Sequence, residues 1–363
     1  MCNAEGSLSI ADLELWKRAK KQRALLSIVM DLTARCNNNC IHCYINREAG
    51  DQQAIEKELS LAQIKNLTDQ AVKMDVLWVL LSGGEPLLRP DFPEIYTYIR
   101  TRGVFVSLFT NASLISADHI DLFKKYPPRQ IEVSVYATTA DIHRKVTRKN
   151  TFESTMKGID RLLSAGLPVT LKSTIIKANL PDFDGIADFC RSKSKQPFRF
   201  DPFLQLRADK NPERNVEILA QRLTPAQIVT LEKKDPDRRN ALEQTCQNLL
   251  DQPRINPDTL FRCQAGINTC AISWDGRFQL CPSLVNPDCS LDLRTNTLAY
   301  AWNHFTPGII TLSSTGSQYK ATCGACDLHD ICSWCPAHAD IETNRLDGHI
   351  PYFCDVAKAR QKT

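Results

Sequence analysis

Three cysteines near the start of the chain, Cys36, Cys40 and Cys43, are spaced Cys-x3-Cys-x2-Cys in the segment DLTARCNNNCIHCY. A four-iron cluster normally takes four thiolates, so three leave one iron open. An open metal position is what substrate chemistry requires. The chain carries fifteen cysteines, and most of the others are gathered between Cys263 and Cys354. Reducing cytosol disfavours a disulfide framework, which makes metal ligation the leading reason for so many thiols.

A second set of residues lies close to the first. Ser82-Gly83-Gly84-Glu85-Pro86 ends the next apolar run after the cysteines. Glycines there let backbone approach a ligand closely, and the Glu85 carboxylate can receive an ammonium group. Thr110-Asn111, Ser134 and Lys172 close or occupy later apolar runs. Arg148 and His143 are weaker candidates, better explained as a solvated loop. In the tail, Cys323-x2-Cys326 and Cys332-x2-Cys335 resemble the paired cysteines of a zinc ribbon, but five residues separate the pairs. Zinc ribbons usually leave roughly 15–20.

These residues need a scaffold that brings them to one place. The apolar, β-branched runs Leu26–Leu32, Val76–Leu81, Val104–Thr110, Ile131–Tyr136, Val169–Ile176 and Phe198–Leu204 read as strands. Helical patterns separate them: one opened by the Ser60/Gln63 capping box, then Asp91–Thr101, Ala117–Tyr126, Thr151–Ala165 and Pro181–Arg191. Continuous apolar strands alternating with amphipathic helices give a parallel sheet. Six units predict a partial (β/α)6 TIM-like barrel, with the reactive groups at the C-terminal ends of its strands. Residues 205–258 are polar, contain a helix start at Thr224-Pro225-Ala226-Gln227, and read as a connector with one or two helices. Residues 259–363 read as a loop-rich, cysteine-rich domain held by metal, and residues 1–25 as an N-terminal extension before the core at 26–204.

Together, the three cysteines after strand one and the Gly-Gly-Glu-Pro segment after strand two resemble the radical S-adenosylmethionine (SAM) superfamily. The tail resembles the SPASM module of radical SAM peptide-modifying enzymes, departing once: Cys332-x2-Cys335 is one residue short. The resemblance implies a [4Fe–4S] cluster on Cys36, Cys40 and Cys43 that binds SAM and cleaves it to a 5′-deoxyadenosyl radical. It places His42 against the adenine, and Gly83, Gly84, Glu85, Ser134 and Lys172 around SAM. It also implies two auxiliary [4Fe–4S] clusters. Cys263, Cys281 and Cys335 would hold one, with Cys270 as fourth ligand and Cys289 in competition. Cys323, Cys326, Cys332 and Cys354 would hold the other. Cys2, Cys190 and Cys246 remain as ordinary thiols.

The implied function is modification of a ribosomally made peptide or protein by oxidation, crosslinking or excision. A reducing donor of flavodoxin or ferredoxin type is implied too. About 25 residues precede strand one, too few for a leader-binding domain, so a separate leader-binding partner is expected. Formylglycine formation, haem-pathway chemistry and a non-enzymatic zinc scaffold are the alternatives. A net charge of +4 argues no nucleic-acid partner. No apolar run approaches the roughly 20 residues of a membrane span. With no signal peptide in the first residues, a cytoplasmic location is expected.

Overall fold

The computed structural model describes residues 14–249, 258–263 and 265–362. Six parallel strands form its centre: β1 Ser27–Thr33, β2 Trp78–Gly83, β3 Phe105–Thr110, β4 Gln130–Ser134, β5 Val169–Thr174 and β6 Arg199–Asp201. Each pairs with the next in chain order. Before them runs α1, Glu14–Lys21; between them run α2 Leu61–Lys73, α3 Phe92–Thr101, α4 Ala117–Lys125, α5 Ala140–Thr147, α6 Phe152–Ser164 and α7 Phe183–Lys193. Ser60 caps α2 in a reciprocal capping box with Gln63, which settles two otherwise unpaired backbone donors.

Alternation along the strands makes the two faces different. Ile28, Met30, Leu32, Val79, Leu81, Val106 and Leu108 are buried in one apolar core with Ile64, Leu67, Ile95, Ile99, Phe123 and Ile159 from the helices. Each such side chain contributes about 1.5–3 kcal/mol by burial. The other face is polar where it lines cavities, with Ser107, Glu132, Ser134, Lys172 and Thr174. A strand set covered by helices on one side and polar within is the partial barrel that the alternating pattern predicts.

Among its described residues the connector holds three helices rather than one or two: α8 Pro212–Gln221, α9 Pro225–Lys234 and α10 Pro236–Leu249. The Thr224 start has the capping box with Gln227. The tail is less loop-rich than its composition suggests. Its strands β7 Thr269–Ile272, β8 Arg277–Gln279 and β9 Leu291–Asp292 extend the central sheet to nine strands, because β7 pairs parallel with the free edge of β1. Helices α11 Pro336–Thr343 and α12 Pro351–Gln361 follow. Among the described residues no helix is long and apolar enough to cross a membrane.

Candidate active site

The three early cysteines lie on a loop at the C-terminal end of β1, and its backbone is held from several sides. Arg35 and Cys36 pair with Arg47 and Glu48 in a short parallel bridge. The Asn39 and Ile41 N–H groups donate to the Thr147 and Val146 carbonyls at 2.9 Å each. From the connector, Arg214 Nη2 donates to the Cys40 carbonyl at 2.9 Å, and Arg207 Nη1 donates to the Asn46 carbonyl at 3.2 Å. Below the loop, the Arg35 guanidinium pairs with the buried Glu58 carboxylate at 2.7 Å. Cys40 is buried; Cys36 and Cys43 are half-buried. Burial pushes the Cys36 thiol up to about 12, and the Glu85 and Cys43 charges add to this. Cys40 is raised well above the usual thiol range by burial and by its two neighbours. Thiols that oppose each other's ionisation in this way ionise together when a cation binds among them.

The end of β2 packs directly on this loop. The Gly84 N–H donates to the Thr33 carbonyl at 2.7 Å, and the Glu85 N–H to the Arg35 carbonyl at 2.8 Å. A Cβ on Gly83 would lie 2.2 Å from the Thr33 oxygen, and one on Gly84 2.2 Å from the Arg35 oxygen. The glycine pair is therefore needed for strand-end contact as well as for the cavity it lines.

Glu85 corrects the expectation that its carboxylate faces SAM. It is fully buried. It accepts from Leu87 N at 3.1 Å, Thr110 Oγ1 at 2.8 Å and Asn111 N at 2.7 Å. Its oxygens tie the ends of β2 and β3 together, and that fixes Asn111. The Asn111 amide in turn donates to Asn37 Oδ1 at 2.8 Å and lies 3.8 Å from the Cys36 sulfur.

A cavity of about 320 Å³ opens between these segments. All three cysteines line it, together with His42, Gly83, Gly84, Ser134 and Lys172. His42 is buried, and its ring meets that of Tyr136 edge-on at 5.0 Å. Burial, with the Arg214 charge, lowers His42 to about 4, so the imidazole is neutral near pH 7. Its Nδ1 has no hydrogen-bond partner among the described residues. Lys172 reaches the cavity already paired, 3.0 Å from the Glu132 carboxylate and 3.2 Å from the centre of the Phe109 ring. His143 and Arg148 do not line it: His143 is buried against Thr151 at 3.0 Å rather than solvated, and Arg148 pairs with Glu217 at 2.9 Å.

Sequence reasoning missed Tyr136, Asn38, Asp201 and Gln205 on the cavity wall. Asp201 ends β6 and remains open to solvent, while the surrounding wall raises its pKa. Its position at a strand end was the available signal. The run Asn37-Asn38-Asn39 between two cysteines was the signal for Asn38.

The tail cysteines fall into two groups by their mutual electrostatics. Cys263 and Cys281 both raise Cys335, and Cys263 raises Cys281. Cys323, Cys326, Cys332 and Cys354 line a second cavity of about 320 Å³. There His349 Nε2 lies 3.1 Å from the Cys354 sulfur. Cys270 joins neither group. It sits on β7 opposite Ile28, is 1% exposed and belongs to the apolar core. Its predicted place as fourth ligand is therefore corrected to that of a core thiol. The competing Cys289 is 0% exposed and also packs in the core, as does Cys190. Cys2 and the Cys246 side chain lie outside the described residues. Among the described residues, no three His, Cys, Asp or Glu side chains converge closely enough to grip one ion. Thiolates of a cluster each meet a different iron and stand farther apart.

Comparison with known proteins agrees with this layout. The family model described as the Radical SAM superfamily matches residues 30–190. AdoMet-dependent heme synthase of Methanosarcina barkeri is 24% identical over 90% of this chain and 95% of its own. The structure of Streptococcus suis SuiB bound to precursor peptide SuiA superposes with a TM-score of 0.68, covering 96% of this chain and 82% of that one at 17% identity. That of anSMEcpe with bound AdoMet and Cp18Cys peptide gives 0.65, covering 93% and 96% at 14% identity.

Proposed function

We propose that this chain, whose residues 30–190 form a radical SAM domain, modifies a peptide or protein substrate by hydrogen abstraction. The observation that carries the reading is the convergence of Cys36, Cys40 and Cys43 on a cavity that Gly83, Gly84 and Ser134 also line. Three thiols without a fourth protein ligand fit a [4Fe–4S] cluster with one free iron. When bound there, the cluster and SAM would supply the 5′-deoxyadenosyl radical.

The protein's own residues bind, orient and shield. The Gly83–Gly84 backbone and Ser134 offer polar groups to SAM. Neutral His42 and Tyr136 provide an aromatic wall for adenine. Lys172 is held by Glu132 and offers a cation whose position is fixed. Asp201 is the carboxylate on the cavity wall able to take a proton from a bound substrate. Cys263, Cys281 and Cys335 form one candidate auxiliary site, and Cys323, Cys326, Cys332 and Cys354 a second, to which an electron from the substrate radical can pass.

The likeness to SuiB, seen with a precursor peptide, supports the peptide class, with a separate leader-binding partner as the companion proposal. A second reading has its own support: the heme synthase relatives align along nearly the whole chain. The deciding experiment co-produces the protein with a short precursor peptide encoded beside it and analyses the peptide by mass spectrometry. A mass change that disappears in Cys36→Ala supports the peptide reading. An unchanged peptide, with a haem precursor consumed anaerobically by the same protein, replaces it with the tetrapyrrole reading.

A further inference from the structure

The second tail cavity contains a histidine to which no role has yet been given. Cys323, Cys326, Cys332 and Cys354 line this cavity, and so does His349. The His349 Nε2 lies 3.1 Å from the Cys354 sulfur. Cys354 stands in the first turn of α12, five residues after the histidine. Both residues belong to one short segment, so the local backbone decides whether the contact is held.

That backbone is fixed on both sides of His349. Before it, the Gly348 carbonyl accepts from the Trp334 indole Nε1 at 2.8 Å, and Trp334 is buried. The Gly348 N–H donates to the Arg345 carbonyl at 3.1 Å, and a Cβ at Gly348 would collide with the Thr343 side chain. After it, Ile350 is buried in a small core with Phe353 and Trp334, and the Phe353 N–H donates to the Ile350 carbonyl at 3.2 Å. Trp334 itself stands between Cys332 and Cys335 in the chain. Its indole therefore ties the histidine segment to the segment that carries Cys332, another thiol of the same cavity.

The chemistry of the sulfur sets the direction of the hydrogen bond. A thiolate bound to iron keeps no proton, so it can only accept. The imidazole must then carry its proton on Nε2 and donate it. Reducing a cluster adds negative charge that its sulfurs share, so a donor aimed at one of them is worth more in the reduced state.

We infer that His349 is a tuning residue of the second auxiliary site: its Nε2–H donates to the Cys354 thiolate and raises the reduction potential of the cluster held there. The inference rests on the reading of Cys323, Cys326, Cys332 and Cys354 as cluster ligands. In the step that His349 favours, no bond forms or breaks. The cluster gains one electron, passing from the 2+ to the 1+ state, and the substrate radical is oxidised by one. Direct ligation of iron by His349 is the less suited role, because the four thiols of the cavity already match the four irons of a cluster.

The test uses the full chain with C36A/C40A/C43A, so that only tail clusters are read, and compares this parent with H349F, H349N and H349Q added. Phe fills the place of the ring without a donor. The Asn amide is too short to reach from the position of Nε2, whereas Gln sets an amide nitrogen near it. Iron content is measured beside dithionite titrations followed by electron paramagnetic resonance. The parent is expected to hold about eight irons, in two reducible clusters. H349F and H349N are expected to keep that iron and to bind the electron of one cluster roughly tenfold more weakly, a potential about 59 mV lower. The other potential stays in place, and H349Q recovers most of the shift. Two unmoved potentials in H349F and H349N overturn the inference. So does a fall in H349Q as large as in H349F, or an equal fall in both clusters. Loss of four irons from all three variants would make His349 a ligand and overturn it as well. A parent without reducible tail clusters would instead remove the auxiliary-site reading, and the tuning role with it.

Discussion

Replacing Glu85 with Gln isolates the buried carboxyl that joins the ends of β2 and β3. Burial pushes its pKa up to about 7, while hydrogen bonds from Asn111, Thr110 and Leu87 pull the other way. An unfolded glutamate titrates at about 4.3. Between those values the folded chain holds a proton that the unfolded chain has released. The stability from this group is therefore complete below the unfolded value and is lost as pH rises through about 7. From about pH 5.5 to about pH 8 the loss comes to about 2 kcal/mol. The substituted glutamine would not titrate and would lack this slope. It would carry a fixed penalty instead: one arm of the amide is a donor, so either Asn111 N or the Thr110 and Leu87 pair loses its acceptor, at about 1–3 kcal/mol. The advantage of wild type over the variant is thus about 2 kcal/mol larger at the acid end. With a urea slope of about 3 kcal/mol/M, the gap between unfolding midpoints changes by roughly 0.7 M. Urea titrations followed by circular dichroism, at matched iron content, measure it. A gap that stays constant with pH would refute the raised carboxyl. A gap that widens with pH would mean that the three donors outweigh burial.

Two further substitutions test assignments made from packing. Cys270→Ser is expected to leave iron content unchanged and to cost about 1–3 kcal/mol, because a hydroxyl is placed in an apolar core; Cys281→Ser is expected to remove about four irons per chain. Iron analysis beside thermal unfolding separates the two, and iron loss in the Cys270 variant would restore that residue as a ligand. Gly84→Ala places a Cβ 2.2 Å from the Arg35 oxygen and 2.6 Å from the Ala34 oxygen. Two backbone atoms cannot both retreat, so a stability loss of about 3 kcal/mol or more is expected, with weaker SAM binding by calorimetry. Wild-type stability and affinity in this variant would show that the strand-end contact is not needed.

The barrel was legible because its signals are local. Ser60-x2-Gln63 and Thr224-x2-Gln227 mark helix starts with side chains that bond their own backbone, and both capping boxes are present. The first five strands carry buried apolar residues that need no knowledge of their neighbours, whereas the expected run Phe198–Leu204 is a strand only over Arg199–Asp201, exposed at both ends. The misplaced residues are those whose role depends on a distant segment. Cys270 has the right residue type and nearly the right spacing for a ligand, but its neighbour across the sheet is Ile28, some 240 residues earlier. Glu85 follows the glycine pair as expected, yet its direction is set by Thr110 and Asn111 on the next strand. Arg207 and Arg214, which hold the cysteine loop from outside, sit in a connector whose composition reads only as polar.

The pairing of β7 with β1 explains how the tail and the barrel hold a fixed relation. Ser27 to Met30 run in register with Thr269 to Ile272, and the Leu26 N–H donates to the Asn268 carbonyl at 2.9 Å. The same β1 delivers Cys36 three residues after its end, while β7 is followed within nine residues by Cys281. Ser283, two residues further on, donates to Gln205 at 2.6 Å, and Gln205 lines the cavity of Cys36, Cys40 and Cys43. Separate domains on a flexible linker would let the distance between the two cysteine groups vary. Here one continuous sheet carries both the strand that leads to Cys36 and the strands that lead to Cys281. Gln205 and Ser283 thereby join the wall of the first cavity to the segment that follows Cys281.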